Sequence, residues 1–106
     1  MTLIGLQKAD GSWIVDEVLA EIFNSTTQEI LTSLPCEEAE PAVWSTLLSL
    51  IWLHTYGAKI KSDWELLASK AVSWLNTNAA GVDFGELIIV GNNFLKTEVK
   101  QSTLGL

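Results

Sequence analysis

Apolar residues recur along this chain at three- and four-residue spacing, and short polar breaks separate the stretches. That is the pattern of successive amphipathic helices. Val15, Val18, Leu19, Ile22 and Phe23 predict a first helix over about 15–23, broken by Asn24-Ser25-Thr26. Thr26-x-x-Glu29 then has the form of a capping box, so a short second helix is expected to about Ser33, burying Ile30, Leu31 and Leu34. Residues 35–40 read as a loop. Pro41 suits the first turn of a third helix, where its missing N–H costs nothing, and Gly57 is a good stop after Tyr56. Trp44, Leu47, Leu48, Ile51 and Thr55 share one face of that helix, with Val43, Leu50, Trp52 and Leu53 on its other sides. So wide an apolar arc predicts the central, nearly all-buried element.

Ser62-x-x-Glu65 has the form of a second capping box and predicts a fourth helix over about 63–78, with Trp64, Leu67, Ala68, Ala71, Trp74 and Leu75 as its stripe. Asp83-x-x-Glu86 opens a fifth, about Phe84 to Val99. Gly91 inside it costs about 1 kcal/mol relative to alanine, which points to close approach of a neighbouring helix. The β-branched run Ile88-Ile89-Val90 competes as a strand. The cap before it and Phe94-Leu95 after it favour helix. Residues 1–13 form a lead-in segment with a turn at Asp10-Gly11, and residues 101–106 read as a frayed tail. The expectation is one all-α domain over residues 1–106, a compact bundle of about five helices.

At 48% hydrophobic and 18% charged residues, the chain is too apolar for disorder. Its net charge of −7 opposes nucleic-acid and anionic-membrane partners. Glu37, Glu38 and Glu40 form an acidic cluster that reads as a solvated loop, with a contact for a basic partner as the alternative. The longest uncharged stretch, 41–58, is too short and too polar to span a membrane. A single cysteine, Cys36, cannot pair within the chain, and the carboxylates beside it oppose a reactive thiolate.

Catalytic chemistry is sparse. His54 is the one histidine and arginine is absent. His54 falls near the C-terminal end of the third helix, where an imidazolium meets the negative end of the dipole, so a structural role is expected. Ser49, His54 and Asp63 can be assembled into a triad on paper, but no serine lies on a nucleophile-type turn. No metal-ligand spacing and no glycine-rich phosphate loop are present, so no cofactor and no enzymatic activity are expected.

What the chain has in place of chemistry is five tryptophans. Trp44 and Trp74 lie on the densest stripes and are expected in the core. Trp64, in the first turn of its helix, reads as half-exposed. Trp52, Tyr56 and Trp64 are docking candidates, because large rings with few rotors make interface anchors; core packing is the competing reading for each. Gln7-x-x-x-Gly11-x-Trp13 resembles the glutamine–tryptophan motif of terpenoid cyclases, in which an amide and an indole tie a turn to a helix start. That resemblance implies a structural staple of Gln7, Asp10, Gly11 and Trp13, with an exposed, partner-binding Trp13 as the alternative.

The order of aromatic strings over most of the chain carries a second resemblance. Gln7-Lys8-Ala9-Asp10-Gly11-Ser12-Trp13, Trp44-x-x-Leu47-Leu48, Ile51-Trp52-Leu53-His54, Asp63-Trp64-Glu65-Leu66-Leu67 and Lys70-Ala71-x-x-Trp74-Leu75 follow one another. Together they resemble the C-terminal module of von Willebrand A domain-containing proteins that also carry a vault/inter-alpha-trypsin domain, a module similar to the end of the vault poly(ADP-ribose) polymerase. The resemblance implies a C-terminal fragment of a larger, cytoplasmic protein, and a non-catalytic domain that docks its parent onto the major vault protein. ADP-ribosyltransferase chemistry, where the parent has it, resides elsewhere. The alternative is a domain that packs against other parts of its own chain.

Overall fold

A computed structural model describes residues 2–35, 40–79 and 81–106. Among these the chain is all α-helical. The helices are α1 (Thr2–Leu6), α2 (Glu17–Ile22), α3 (Thr27–Thr32), α4 (Pro41–Tyr56), α5 (Lys61–Asn78), α6 (Phe84–Leu95) and α7 (Gln101–Leu104), with a 3-10 turn at Ala58–Ile60 between α4 and α5. The helix assignment over Ile88-Ile89-Val90 holds, and two short helices, α1 and α7, add to the expected five.

Helix α4 is the axis. Every residue from Val43 to Ile51 is buried, as is Leu53 two residues further on. It packs against α5 and α6, and α7 closes over it. The buried hydroxyls of Ser45 and Thr46 both donate to the Trp13 carbonyl, and the Trp13 N–H donates to Thr46 Oγ1 at 2.9 Å. A non-helical segment can therefore lie against the middle of the bundle without orphaned backbone groups. Gly91 of α6 lies close against α4. A Cβ there would stand 2.8 Å from Ile51 Cδ1, 3.4 Å from Leu48 Cδ2 and 3.6 Å from the Trp44 ring. Close packing is what this glycine supplies in exchange for its low helix propensity.

Two helix starts follow their sequence signals: Thr26 Oγ1 accepts from the Glu29 N–H at 3.1 Å, and Asp83 Oδ1 from Glu86 at 3.3 Å. Helix α2 starts two residues later than its apolar pattern, capped by Asp16, whose Oδ1 accepts from the Leu19 N–H at 2.7 Å. Each satisfies an N–H that the helix itself leaves free. The Ser62 signal does not operate. The 3-10 turn runs straight into α5, which begins at Lys61 with no side-chain cap, so Ser62 lies inside the helix.

The C-terminal region departs most from the sequence pattern. Helix α6 stops at Leu95, four residues before Val99, because Lys96 turns left-handed at φ 58°. Asn92 gathers the chain that follows: its Oδ1 accepts from Thr97 Oγ1 at 2.6 Å and from the Val99 N–H at 3.0 Å, while Nδ2 donates to the Val99 carbonyl. This loop returns residues 101–106 to the bundle, and Leu104 is buried against it. The tail is docked, not frayed. Trp74, expected in the core, is half-buried at its edge. No described helix is long and apolar enough to cross a membrane. The acidic cluster at Glu37 and Glu38, and Cys36 beside it, lie outside the described residues.

Candidate protein-docking site

The docking candidates divide once their surroundings are known. Trp13 is fully buried and its indole N–H donates to the Leu3 carbonyl of α1 at 2.9 Å. The segment leading to it is the staple its sequence suggests. Gln7 Nε2 donates to the carbonyls of Gly11 and, across to α5, Leu67, both at 2.9 Å. Asp10 Oδ1 accepts from the Ser12 N–H at 3.0 Å and the Ser12 hydroxyl at 2.7 Å. These bonds from Ser12, with smaller help from Lys8 and the neighbouring Trp74 indole, hold the Asp10 carboxyl below its ordinary value. Gly11 sits at φ 103°, and a Cβ there would stand 2.7 Å from the Lys70 carbonyl oxygen, so the residue has to be glycine.

Trp64 is also buried, contrary to the sequence expectation of a half-exposed ring. Its N–H donates to the carbonyl of Gly57 at 2.8 Å. His54 meets its face edge-on, centroids 4.9 Å apart and planes at 78°. Burial pushes the His54 pKa below 6.5, and Lys61 adds to the shift, so the imidazole is held neutral and not as a charged cap on the dipole. Ser49 Oγ donates to the Ser45 carbonyl one turn back. Ser49, His54 and Asp63 therefore form no hydrogen-bonded triad. Among the described residues no three His, Cys, Asp or Glu side chains cluster as metal ligands do.

Trp52 and Tyr56 remain. They stand one helical turn apart at the end of α4, ring centroids 5.3 Å apart and planes tilted by 44°. Trp52 is half-buried and Tyr56 is 57% exposed. Together they form one wall of an open cleft of about 420 Å³, which Ile22 and Phe23 of α2 and Phe94 and Leu95 of α6 complete. Two backbone positions at its rim are left-handed without being glycine: Asn24 at φ 56° and Lys96 at φ 58°. Lys96 is the charged side chain at the cleft. The cleft is thus walled by aromatic rings, while much of its exposed lining is polar and Lys96 stands at its rim. Phe94 and Lys96 were not singled out from sequence for this surface. Phe94 reads as core by helical period, and a left-handed lysine leaves no mark in a periodicity.

The chain is 40% identical over 104 residues to von Willebrand factor A domain-containing protein 5A of Mus musculus, a match covering 98% of this chain and 13% of that protein. The Homo sapiens protein of the same name is 39% identical over 97 residues, 92% of this chain and 12% of its own length. The Rattus norvegicus protein is 42% identical over 79 residues, 74% of this chain and 10% of its own. The chain is thus homologous to a segment of these proteins, and spans about an eighth of their length. No family model and no solved structure matches it.

Proposed function

From homology with a segment of von Willebrand factor A domain-containing protein 5A, we propose that this chain is a non-catalytic contact domain of a von Willebrand A-type protein, and that it packs its Trp52–Tyr56 cleft against another part of its own polypeptide. The observation that carries this reading is the tilted Trp52–Tyr56 pair, half-buried tryptophan beside exposed tyrosine, on the last turns of the most buried helix. Rings held on a rigid element lose little entropy on docking, which is what makes an anchor. The matched segment in each relative is joined to a much longer chain. Tethering raises the effective concentration of the two surfaces, so a modest cleft suffices for an intramolecular contact.

Docking onto the major vault protein is the second reading. It is favoured by the order of aromatic strings that resembles the vault polymerase module, and it brings with it a cytoplasmic vault location and a parent with transferase chemistry elsewhere. One experiment separates the two: the 106-residue chain is mixed with the rest of its parent polypeptide, and in parallel with reconstituted major vault protein particles, and co-sedimentation is followed. Association with the parent that Tyr56→Ser and Trp52→Ser abolish supports the first reading. Saturable sedimentation with the particles supports the second. Failure of both, with the chain folded by circular dichroism, overturns the proposal.

A further inference from the structure

A second surface lies away from the aromatic cleft and shares no lining residue with it. Ile14, Val15, Leu31 and Ala42 make the apolar part of an open groove of about 620 Å³ where the segment before α2, the helix α3 and the start of α4 converge, with Asp16 and Glu17 at its rim. Ile14 and Leu31 are 45% and 44% exposed, and they line the same groove, so their apolar surface is shared and not scattered. A smaller hollow of about 290 Å³ continues it between α2 and α3. The two share Glu17 and Thr27, and the hollow adds Glu21 and Ser25. Ser25 Oγ is, among the described residues, a buried hydroxyl without a hydrogen-bond partner, and an orphan of this kind calls for explanation.

The charge of the chain is unevenly placed. Between Lys8 and Lys59 the sequence carries eight of its 13 carboxylates and no lysine or arginine, while the other five share the remainder with all 6 lysines. The groove lies within that acidic stretch, and among the described residues every charged side chain lining it is a carboxylate. A second copy of this chain, presenting the same face, is repelled by like charge, as are nucleic acids and anionic lipid. We propose that the α2–α3 groove is a docking site for a basic amphipathic polypeptide segment, one that seats aliphatic side chains on Ile14, Val15 and Leu31 and lays lysines or arginines against Glu17 and Glu21. This goes beyond the reading of the Trp52–Tyr56 cleft and does not depend on it. Helix-in-groove recognition works in this way, with apolar anchors supplying affinity and rim charges supplying orientation and rate.

The test is fluorescence anisotropy of a labelled model helix of leucines and lysines titrated with the chain. The expected result is saturable binding that weakens several-fold when salt rises from about 50 to about 300 mM, because rim charges are screened. Leu31→Ser should raise Kd about tenfold, the worth of roughly one buried aliphatic side chain. Glu17→Gln combined with Glu21→Gln should raise it about threefold and flatten the salt dependence. Tyr56→Ser, on the other surface, should leave it unchanged. Three results overturn the proposal: no saturable binding, equal binding of the same helix with glutamates in place of its lysines, or an affinity that neither the Leu31 nor the glutamate variants alter.

Discussion

Three tryptophans of this bundle are sealed inside it, and one stands with a tyrosine at its surface. The difference is where the indole N–H goes. Trp13 donates to Leu3, in the last turn of α1; Trp44 donates to Ile30, in the last turn of α3; Trp64 donates to Gly57, which ends α4. Helix ends leave carbonyls unpaired, and a buried indole needs an acceptor. In this fold each indole finds its acceptor at such an end, beside the Ser33 hydroxyl at Ile30 and the Ile60 N–H at Gly57, so every buried tryptophan also ties down the end of a helix that is not its own. Among the described residues Trp52 makes no such bond, and its ring packs at a tilt against Tyr56 instead. The inner rings hold the bundle together, while the outer pair is free to serve something else.

The sharpest break of that comparison is truncation of one ring from each set. Trp64→Ala removes a fully buried indole, leaves a cavity and takes one of two donors from the Gly57 carbonyl, which keeps the Ile60 N–H, and should cost about 3–5 kcal/mol, a large share of the stability of a domain of this size. Trp52→Ala, half-exposed and bonded to nothing, should cost about 1 kcal/mol. Urea denaturation followed by circular dichroism measures both. Equal losses would abolish the distinction between inner and outer rings. A smaller loss than for Trp64 is also expected for Trp74→Ala, since that ring is half-buried at the edge of the core.

The staple that carries Trp13 can be attacked at a single atom. Gly11→Ala places a methyl 2.7 Å from the Lys70 carbonyl oxygen, on a backbone at φ 103°. Neither the neighbour nor the dihedral can give cheaply, so a loss of about 2 kcal/mol or more is expected. Thermal unfolding of the variant should show it, and near-native melting would mean that the turn can rearrange without disturbing Trp13.

This staple was legible in the sequence, as were the central helix and its stop at Gly57, because the signals are local: a glutamine, an Asp-Gly turn and an indole within seven positions, and a proline and a glycine bracketing one apolar run. The fate of individual rings was not. Trp64 reads as half-exposed from its place in the first turn of α5, yet it is buried by the 3-10 turn that leads into that helix and by His54 of the preceding one. Trp74 reads as core from an unbroken stripe, yet one of its neighbours is the thin Asp10 turn. Periodicity says which face is apolar, and only tertiary structure says how much stands in front of it. The end of α6 was misplaced for a related reason. Val99 continues the apolar pattern, but the backbone turns left-handed at Lys96 and Asn92 bonds to the chain that follows.

At the cleft the comparison can be sharpened by a gain of stability. Lys96 holds a left-handed conformation that glycine adopts without strain. Lys96→Gly should therefore stabilise the chain by about 1 kcal/mol, visible as a raised melting temperature. If the same variant also binds its partner less well, the strained lysine is retained for the cleft. If binding is unaffected, Trp52, Tyr56 and Phe94 carry the contact alone.

The smallest expected effect belongs to the inner set and concerns His54. Its neutral form is favoured in the folded state because the imidazole is packed on the Trp64 face and neighbours Lys61. The folded pKa lies below the unfolded value of about 6.5, so above that pH neither state binds the proton and stability is independent of this group. As pH falls through 6.5 toward the folded pKa, the unfolded chain takes up a proton that the folded one does not, and stability declines. Asp10, whose carboxyl is lowered, titrates at more acidic pH and leaves this window clear. His54 is partly solvent-exposed, so the decline is shallow. Unfolding free energies measured between about pH 7 and pH 5 should fall for the native chain and stay level for His54→Gln. An equal slope in both would place the titrating group elsewhere, and would remove the imidazole from the seal around Trp64.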